Sequence, residues 1–291
     1  MFHSAEVALK EEAFAKVNLG LWVLGKREDG YHEICSFMHE ISLKDELFFW
    51  NSKDIEVFVE GENVEGENIV RRALLNLKDV LRVRRGVTVL LRKKVPLKAG
   101  LGGGSSDAAA AIKGVLKLWN ISVDEELIFK VASELGSDVP FFIRGGFSFC
   151  YGRGERVKQL PFSLSEKLSV LLAIPPYGLS TREVYGWLTP PYADPFSVEP
   201  FLRAFRELDW QFLRKRLKND LERVVFERCP DLRMLKERFL EMGAKISLMS
   251  GSGSTVFAIF DDVSFNPSDF RDFLERKFKF IVTTFKGGTS C

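Results

Sequence analysis

Hydrophobic and polar positions alternate with two different periods along this chain. An alternation of period two predicts a β-strand, whereas apolar residues three and four positions apart predict the buried stripe of a helix. One predicted helix opens on a serine–serine–aspartate start followed by four alanines, and another has Glu125 three residues after Ser122, the spacing of a capping box. The first half of the chain is predicted to contain strands at residues 14–23, 55–60 and 87–91 and helices at 68–81, 105–119 and 122–136.

The second half of the chain continues this alternation around a proline-rich section. Strand character occurs in residues 141–151 and 168–174, and several prolines between 175 and 195 interrupt regular structure. No internal repeat stands out, so the pattern predicts an α+β fold with two domains, residues 1–162 and 163–291. Further helices are predicted at 200–217, 231–242 and 267–278, and further strands at 245–250, 255–260 and 280–285.

The composition identifies a globular chain with almost no net charge. Its 291 residues suffice for two domains, and 42 Lys and Arg residues against 40 Asp and Glu residues leave a formal charge of +2. A nucleic-acid binder usually carries a strong basic excess, so we expect no nucleic-acid partner. The longest uncharged apolar stretch, residues 168–177, is shorter than the about 20 residues that span a bilayer, so we expect no membrane partner.

Cysteine spacing and the first residues indicate a cytoplasmic protein. The cysteines form no C-x-x-C pair, which favours reduced thiols over a disulfide framework or a zinc site. The first residues include acidic side chains and lack an apolar signal core, which also favours the cytoplasm. The oligomeric state is left open by these features. The four cysteines are Cys35, Cys150, Cys229 and Cys291.

The most informative segment is a glycine-rich stretch that leads into the alanine-rich helix. Four of the five residues 100–104 are glycine, so backbone N–H groups can close around an anion at the positive end of the helix dipole. The Walker and Rossmann patterns are both absent, and a flexible linker is disfavoured because the stretch joins a strand to a strong helix. We expect a phosphate-binding loop formed by Pro96, Leu97, Lys98, Ala99, Gly100, Leu101, Gly102, Gly103, Gly104, Ser105 and Ser106.

This stretch resembles the phosphate loop of the galactokinase, homoserine kinase, mevalonate kinase and phosphomevalonate kinase (GHMP) superfamily. Further segments resemble the members of that superfamily that phosphorylate 4-diphosphocytidyl-2-C-methyl-D-erythritol, and the resemblance extends over residues 13–288. The glycine loop alone indicates only the superfamily, whereas the other segments favour this group of kinases. They are AKVNL at 15–19, GKREDGYHE at 25–33, LGSDVPFF at 135–142 and MSGSGSTVF at 249–257.

The resemblance implies a two-domain small-molecule kinase with its active site in the cleft between the domains. ATP would phosphorylate the 2-hydroxyl of the CDP-linked polyol in the non-mevalonate route to isoprenoid precursors, and Mg²⁺ is expected with ATP, through ligands that the sequence does not identify. Lys16 and Asp138 correspond to the catalytic pair of the family. An aspartate can accept the proton of the attacking alcohol, and a lysine can orient it and offset developing negative charge.

The remaining site residues also come from the resemblance. Asn68 corresponds to an asparagine that contacts adenine, and Tyr31 and His32 belong to the cytidine end of the substrate site, where aromatic faces can stack a pyrimidine. The segment at 251–253 corresponds to a second backbone cradle, beside the diphosphate of the substrate. The implied substrate-binding residues are Asn18, Tyr31, His32, Thr181, Tyr185, Gly251, Ser252 and Gly253.

Each of these assignments has a purely structural alternative. Lys16 fits an exposed position on a strand, Asp138 a turn aspartate, and Asn68 a helix N-cap. Tyr31 and His32 fit an ordinary hairpin exit, and residues 251–254 fit a simple hairpin connection. The alternatives in function are another GHMP kinase, of the mevalonate or homoserine class, and a non-catalytic ligand-binding relative.

Three features depart from the family pattern or stay open. Lys98 stands where the family often has a small residue, and it fits either a phosphate contact or a solvent-facing position. Residues 177–205 are less similar to the family, which weakens the transfer of Thr181 and Tyr185. The basic residues at 82–98 fit solvated strand ends better than a nucleic-acid patch.

Overall fold

The computed structural model describes residues 7–61, 68–261 and 267–287, so Cys291, expected to be a reduced thiol, lies outside the described residues. The strands are β1 (Leu9–Lys26), β2 (His32–Ser52), β3 (Ile55–Glu60), β4 (Gly86–Arg92), β5 (Phe147–Gly152), β6 (Arg156–Gln159), β7 (Ser169–Ile174), β8 (Ile246–Met249), β9 (Val256–Phe260) and β10 (Lys279–Thr284). The α-helices are α1 (Ile69–Leu81), α2 (Gly103–Trp119), α3 (Glu125–Leu135), α4 (Val139–Arg144), α5 (Thr181–Trp187), α6 (Glu199–Glu207), α7 (Trp210–Arg216), α8 (Glu222–Arg228), α9 (Pro230–Glu241) and α10 (Arg271–Glu275). A 3₁₀ turn, Pro267–Phe270, precedes α10.

The chain divides into two compact units that interleave along the sequence. Unit 1 comprises the described residues within Met1–Ala15, Leu43–Leu97 and Gly102–Arg144. Unit 2 comprises those within Lys16–Ser42, Lys98–Leu101 and Gly145–Cys291. The sequence predicts two contiguous domains that meet between residues 162 and 163, and this boundary stays a prediction.

Unit 1 combines a sheet with a group of packed helices. The parallel pair β3 and β4 aligns Val57 with Val89, and β4 runs antiparallel to the second part of β2, where Phe49 lies beside Val89. Helix α1 connects β3 to β4 and packs against α2 and α3, while α4 packs against α2. The shared core of this unit consists of apolar side chains that the structure buries almost completely, including Phe49, Leu74, Leu77, Val89, Val115, Trp119 and Val131.

Unit 2 contains the first part of β2 and a four-stranded antiparallel sheet. The first part of β2 pairs with β5, with Phe37 beside Phe149, and β5 pairs with β6. The four-stranded sheet has the order β10-β7-β9-β8, and α9 packs against its strands β8 and β9. One hydrophobic cluster joins the four-stranded sheet to α9 and to the first part of β2, and it includes Leu171, Phe239 and Phe270.

Most predicted elements of unit 1 are confirmed, but the region after α3 is not. The predicted strand at 141–151 is wrong in its first part, because Val139–Arg144 forms α4 and strand β5 begins only at Phe147. The predicted capping box is also wrong, since α3 begins at Glu125 after Asp124, without a side-chain cap. The two glycines at 145–146 have positive φ and separate α4 from β5.

In the second half, the predicted helix at 200–217 is two helices, α6 and α7, separated at Leu208, whose φ is 53°. The 21-residue strand β2 and the helices α5 and α8 were not among the sequence predictions. Cys35, Cys150 and Cys229, the described cysteines, form no disulfide bond with one another. Within the described ranges, no helix combines the length and the apolar character needed to cross a membrane.

Candidate active site

In unit 1, the end of the phosphate loop forms the amino-terminal end of α2. Gly102, with φ of 72°, occupies the N-cap position, and the first helical hydrogen bond runs from Ser106 N to Gly102 O at 2.9 Å. The N–H groups of Gly103, Gly104 and Ser105 therefore precede the helical hydrogen-bond ladder and point out of the helix end. The first turn of α2 contains no acidic residue. This arrangement fits the phosphates of a nucleotide.

A buried ion cluster connects the segments on either side of the phosphate loop. Lys93 Nζ lies 2.5 Å from Asp45 Oδ2 and 2.7 Å from Asp107 Oδ2, and all three side chains are almost fully buried. Asp45 Oδ1 accepts hydrogen bonds from Lys94 N at 2.5 Å and from Val95 N at 2.8 Å. The cluster thus connects β2 to the segment after β4 and to α2, the two elements that flank the phosphate loop.

Burial sets the protonation of this cluster. Desolvation raises the pKa of Asp107 to about 8; the positive charge of Lys93 opposes this shift and the negative charge of Asp45 adds to it. Desolvation disfavours the Lys93 ammonium, but the two carboxylates outweigh it and raise the pKa of Lys93. Asp107 Oδ1 is buried without a hydrogen-bond partner among the described residues, which agrees with a carboxyl group that binds its proton strongly.

Asn68 and Asp138 both lie near the start of α2 in unit 1. Asn68 is the N-cap of α1, and its Oδ1 accepts a hydrogen bond from Val70 N at 2.8 Å. The next residue, Ile69, lies beside the start of α2, because a Cβ added to Gly104 would be 3.8 Å from its side chain. The N-cap alternative for Asn68 is therefore confirmed, and it leaves the predicted adenine contact open. Asp138 is half-buried just before α4, and its turn is close to α2 because a Cβ at Gly136 would lie 4.0 Å from Ser105 Oγ.

In unit 2, Lys16 is the centre of a buried hydrogen-bond network. Its side chain is buried, and Nζ donates to Asn18 Oδ1 at 2.5 Å and to Gly100 O at 2.9 Å. Asn18 Nδ2 donates to Ser36 Oγ at 2.8 Å, and Ser36 Oγ donates to Gly20 O at 2.7 Å. The alternative of an exposed strand position for Lys16 is wrong. Its ammonium group is held in one orientation by groups that are themselves oriented.

The first part of the phosphate loop meets the second glycine segment within unit 2. Residues 250–255, named here the glycine hairpin, connect the antiparallel strands β8 and β9. Gly100 has φ of 74°, and a Cβ there would lie 2.1 Å from Ser250 O and 2.8 Å from Gly253 O. Gly251 lies beside Lys16, since its Cβ position would be 3.1 Å from Lys16 Nζ. Only glycine permits this close approach of the two backbones.

Further predicted residues surround the glycine hairpin. The hydroxyl groups of Thr181 and Ser252 lie 3.0 Å apart, which brings these two predicted substrate-binding residues together. Lys98 is exposed and has φ of 51°, and its carbonyl oxygen accepts from Leu179 N at 3.3 Å. An exposed side chain is compatible with a phosphate contact and with a solvent-facing position, so both options for Lys98 stay predictions.

An aromatic group surrounds His32 in unit 2. The ring of His32 lies 5.2 Å from that of Tyr185 and 6.0 Å from that of Tyr192, measured between centroids. His32 is 8% exposed, and its Nε2 is buried without a partner among the described residues. Burial, with a smaller effect of the charge of Lys26, lowers the pKa of His32, so the neutral ring is favoured. A neutral imidazole between aromatic rings fits the edge and the face of a nucleobase.

Tyr31 has a different environment from that of its neighbour His32. It is 52% exposed, and the guanidinium carbon of Arg153 lies 4.8 Å from the centre of its ring. The structure thus brings His32 and Tyr185 together and leaves Tyr31 at the surface beside a cation.

Sequence reasoning missed several residues of this site. Tyr192 lies in the proline-rich section, where an aromatic residue among turn formers carries no periodic signal. The partners of Lys93 are 48 and 14 residues away in the chain, and Ser36 is 18 residues from Asn18, so local spacing does not indicate these contacts. The sequence contained one signal for the ion cluster, namely a basic residue, Lys93, just before the phosphate loop.

A dedicated metal cage is absent from the part of the chain that the structure describes, where no three His, Cys, Asp or Glu residues group around a point. Mg²⁺ commonly keeps several waters and binds phosphate oxygens with only one or two protein ligands. The hydroxyl groups of Ser105 and Ser106, at the start of α2, are oxygen donors of that kind. This donor set fits Mg²⁺ carried by the phosphates of a nucleotide.

Comparison with known families matches both halves of the chain to one superfamily. Residues 68–146 match the family described as GHMP kinases N terminal domain, and residues 201–267 match GHMP kinases C terminal. The two matched regions lie on either side of the predicted domain boundary.

Individual relatives give a narrower match. The chain is 40% identical over 258 residues to 4-diphosphocytidyl-2-C-methyl-D-erythritol kinase of Caldanaerobacter subterraneus subsp. tengcongensis, covering 88% of this chain and 89% of the relative. It is 38% identical over 253 residues to the kinase of the same name from Bacillus subtilis, covering 86% and 87%. A crystal structure of 4-(cytidine 5'-diphospho)-2C-methyl-D-erythritol kinase matches with a TM-score of 0.77 at 33% identity, covering 96% of this chain and 100% of that chain.

Proposed function

Because the chain belongs to the 4-diphosphocytidyl-2-C-methyl-D-erythritol kinase family within the GHMP kinases, we propose that it phosphorylates 4-diphosphocytidyl-2-C-methyl-D-erythritol on its 2-hydroxyl group. The protein is an ATP-dependent kinase of isoprenoid biosynthesis. The observation that best supports the proposed chemistry is the buried ammonium group of Lys16, held by Asn18 and by Gly100 of the phosphate loop.

Nucleotide binding is assigned to the phosphate loop and Asn68. The N–H groups at the start of α2 and the backbone at 96–101 would hold the phosphates, and Asn68 would contact adenine from the adjacent start of α1. Ser105 and Ser106 are the candidate protein ligands of Mg²⁺, which, when bound with the nucleotide, would neutralise phosphate charge. The ion cluster around Lys93 supports this role by fixing the two elements that flank the loop.

Asp138 and Lys16 are assigned to the transfer step. The 2-hydroxyl oxygen forms a bond to the γ-phosphorus of ATP, the bond from that phosphorus to the β–γ bridging oxygen breaks, and the hydroxyl proton passes to the carboxylate of Asp138. ADP and the phosphorylated polyol are the products. Aspartate is a weak base, so its position matters more than its basicity, as expected for a reaction that depends on alignment and charge stabilisation. Lys16 offsets the negative charge that develops.

The substrate is assigned to residues of unit 2. His32 contacts Tyr185, and its Nε2 has no partner among the described residues, which supports binding of the cytosine ring; Tyr31 would add a second aromatic face. The diphosphate would lie at the glycine hairpin beside Gly251, Ser252 and Gly253. The N–H groups of Gly251 and Ser252 would be the donors, because Gly253 N donates to Ser250 O at 2.9 Å within the hairpin. Thr181, whose hydroxyl group contacts that of Ser252, would offer a further hydrogen bond to the substrate. Asn18 would contact the substrate beside Lys16.

A substrate panel tests this proposal. Purified protein is incubated with ATP and, separately, with 4-diphosphocytidyl-2-C-methyl-D-erythritol, mevalonate or homoserine, and release of ADP is followed with mass spectrometry of the products. We expect ADP release only with the CDP-linked substrate, together with a product heavier by one phosphoryl group. Turnover of mevalonate or homoserine instead would replace the proposed substrate, and no turnover of any alcohol would favour a non-catalytic relative.

The nucleobase assignment has its own variant. His32→Ala is expected to raise the KM for the CDP-linked substrate while leaving the KM for ATP within about threefold. The reason is that a contact with the cytosine stabilises the bound substrate and the transition state equally. Lys53→Ala, at an exposed position between β2 and β3 in unit 1, is the control.

A further inference from the structure

Asn219 is a buried polar residue to which the proposed reaction assigns no role. Its Nδ2 donates to Met249 O and to Gly251 O, each at 2.7 Å, and its Oδ1 accepts from Leu221 N at 3.0 Å. The residue is 3% exposed. A carboxamide that uses both hydrogens and its oxygen inside the protein has one fixed orientation, and its loss leaves buried backbone groups without partners.

The segment that carries Asn219 lies along β1, the strand of Lys16. Leu21 N donates to Lys218 O at 2.8 Å, and Asp220 N donates to Leu21 O at 2.9 Å. Leu21 and Asn219 therefore form a parallel β-bridge. Asn219 is thus anchored to β1 through its backbone and to the glycine hairpin through its side chain.

Gly251 is the point at which the glycine hairpin approaches the proposed catalytic lysine. Its φ is 56°, and a Cβ there would lie 3.1 Å from Lys16 Nζ, 3.3 Å from Asn18 Oδ1 and 3.4 Å from Gly100 O. A displacement of Gly251 would therefore disturb the ammonium group and its acceptors Asn18 Oδ1 and Gly100 O. Phosphoryl transfer depends on alignment, so a small displacement here is expected to lower the rate.

We propose that Asn219 is a positioning residue that holds Gly251 beside Lys16 and so keeps the glycine hairpin aligned with the ammonium group during phosphoryl transfer. The inference rests on the proposed function, because it uses the roles assigned there to Lys16 and Gly251. Asn219 touches neither reacting group itself and acts through the backbone of Gly251.

Asn219→Asp is the variant that tests this role. It has nearly the same shape, but an ionised carboxylate donates no hydrogen bond and would face the carbonyl oxygens of Met249 and Gly251. We expect kcat/KM for the CDP-linked substrate to fall by about tenfold or more at pH 8, measured well below the unfolding temperature. Asn219→Ser, with a hydroxyl donor and room for water, is the second variant if the first does not fold.

Glu222→Gln is the matched control. Glu222 is also buried, and its Oε1 accepts from Met249 N at 2.8 Å, at the end of β8, while its Oε2 accepts from Lys236 Nζ at 2.6 Å. Glutamine keeps an oxygen that accepts from Met249 N, but its amide nitrogen cannot accept from Lys236 Nζ, so this change disturbs the buried surroundings of the same strand end without touching Gly251. We expect it to lower the unfolding temperature at least as much as Asn219→Asp does, with kcat/KM within about threefold of the wild-type value.

The pH profile separates positioning from general destabilisation. Carbonyl oxygens and burial both raise the pKa of a carboxyl group, and protonation of the introduced carboxyl would restore one donor toward Met249 or Gly251. The activity of Asn219→Asp relative to wild type is therefore expected to rise as the pH is lowered from about 8 to about 6.

The outcomes separate this inference from the proposed function. If wild-type protein does not phosphorylate the CDP-linked substrate, the proposed function fails. If wild-type protein does so and Asn219→Asp and Asn219→Ser keep kcat/KM within about threefold, the positioning role is overturned. An equal loss of kcat/KM in Glu222→Gln, or an activity ratio independent of pH, overturns it as well.

Discussion

Lys16 and Gly100, 84 residues apart in the chain, are joined by a hydrogen bond in which Lys16 Nζ donates to Gly100 O at 2.9 Å. The oxygen of Gly100 also accepts from Ser250 Oγ at 2.9 Å. One carbonyl group of the phosphate loop therefore contacts both the proposed catalytic lysine and the glycine hairpin. This carbonyl group therefore joins three segments that are distant in the chain: the strand segment of Lys16, the phosphate loop and the glycine hairpin.

The first prediction concerns Lys16 itself. In Lys16→Ala, kcat is expected to fall by about 10²–10³-fold, because the ammonium group stabilises charge that is largest in the transition state. The Kd for ATP, measured by calorimetry, is expected to change far less. Lys10→Ala, on the same strand but exposed, is the control. A weakening of ATP binding as large as the loss in kcat would contradict the assignment and make Lys16 a nucleotide-binding residue.

The close approach of the two glycine segments predicts the effect of Gly100→Ala. A Cβ at this position would overlap Ser250 O, a backbone atom, and the left-handed φ adds strain, so the free energy of unfolding is expected to drop by about 2–4 kcal/mol. Gly25→Ala has open space around its Cβ and should change it by less than about 1 kcal/mol. Urea unfolding measures both, and equal stability of the two variants would show that the loops do not meet in this way.

The ion cluster predicts a large difference between two neighbouring lysines. Lys93→Met leaves Asp45 and Asp107 buried without their cation, which is expected to lower the free energy of unfolding by about 3–5 kcal/mol. Lys94→Met removes an exposed pair with Glu46 and should lower it by at most about 1 kcal/mol. Chemical denaturation distinguishes them, and a Lys93→Met protein as stable as Lys94→Met would argue against a structural role of the cluster.

His39 predicts how stability depends on pH. The ring is fully buried; Nδ1 donates to Glu40 O at 2.7 Å and Nε2 accepts from Leu164 N at 3.1 Å, so the neutral form is bound. Desolvation lowers its pKa to about 4, below the unfolded value of about 6.5. The unfolded chain therefore binds the proton first, and stability present above about pH 6.5 is lost toward pH 4, by about 3 kcal/mol.

His39→Gln keeps an acceptor for Leu164 N but does not titrate in this range. The difference in the free energy of unfolding between wild type and variant, followed by urea titration, is expected to shift against wild type as the pH falls from about 6.5 to about 4. A difference that stays constant over this interval would show that His39 does not account for the pH dependence.

Elements with a single buried face were predictable from the sequence. In α1 the buried residues Val70, Ala73, Leu74 and Leu77 follow helical spacing, and the structure has a helix there. The strand β2 was missed because its residues at 36–41 are buried on both faces, which removes the alternation, and because charged residues follow within the strand. The six-residue helix α4 was taken for a strand, since its short apolar run around Phe141 has no measurable period.

The candidate site divides in a similar way. The phosphate loop could be predicted from its own residues, because anion binding favours glycines before a helix. Lys16 could be named only through the resemblance of its segment, AKVNL, to the family. Asp220, the neighbour of Asn219, contacts Val23 at a distance of 197 residues along the chain, and Gly251, the partner of Asn219, is 32 residues away from it. Such long-range contacts depend on how the chain folds back, and no local pattern encodes them.

The measurement that tests the central claim most directly is phosphoryl transfer by Asp138→Asn. This variant keeps the shape of the side chain and removes its ability to accept the proton of the substrate hydroxyl. We predict that kcat with 4-diphosphocytidyl-2-C-methyl-D-erythritol falls by about 10²–10⁴-fold, while the circular dichroism spectrum and the Kd for ATP stay unchanged. A kcat within about threefold of wild type would contradict the assignment of Asp138 as the general base and, with it, the proposed mechanism.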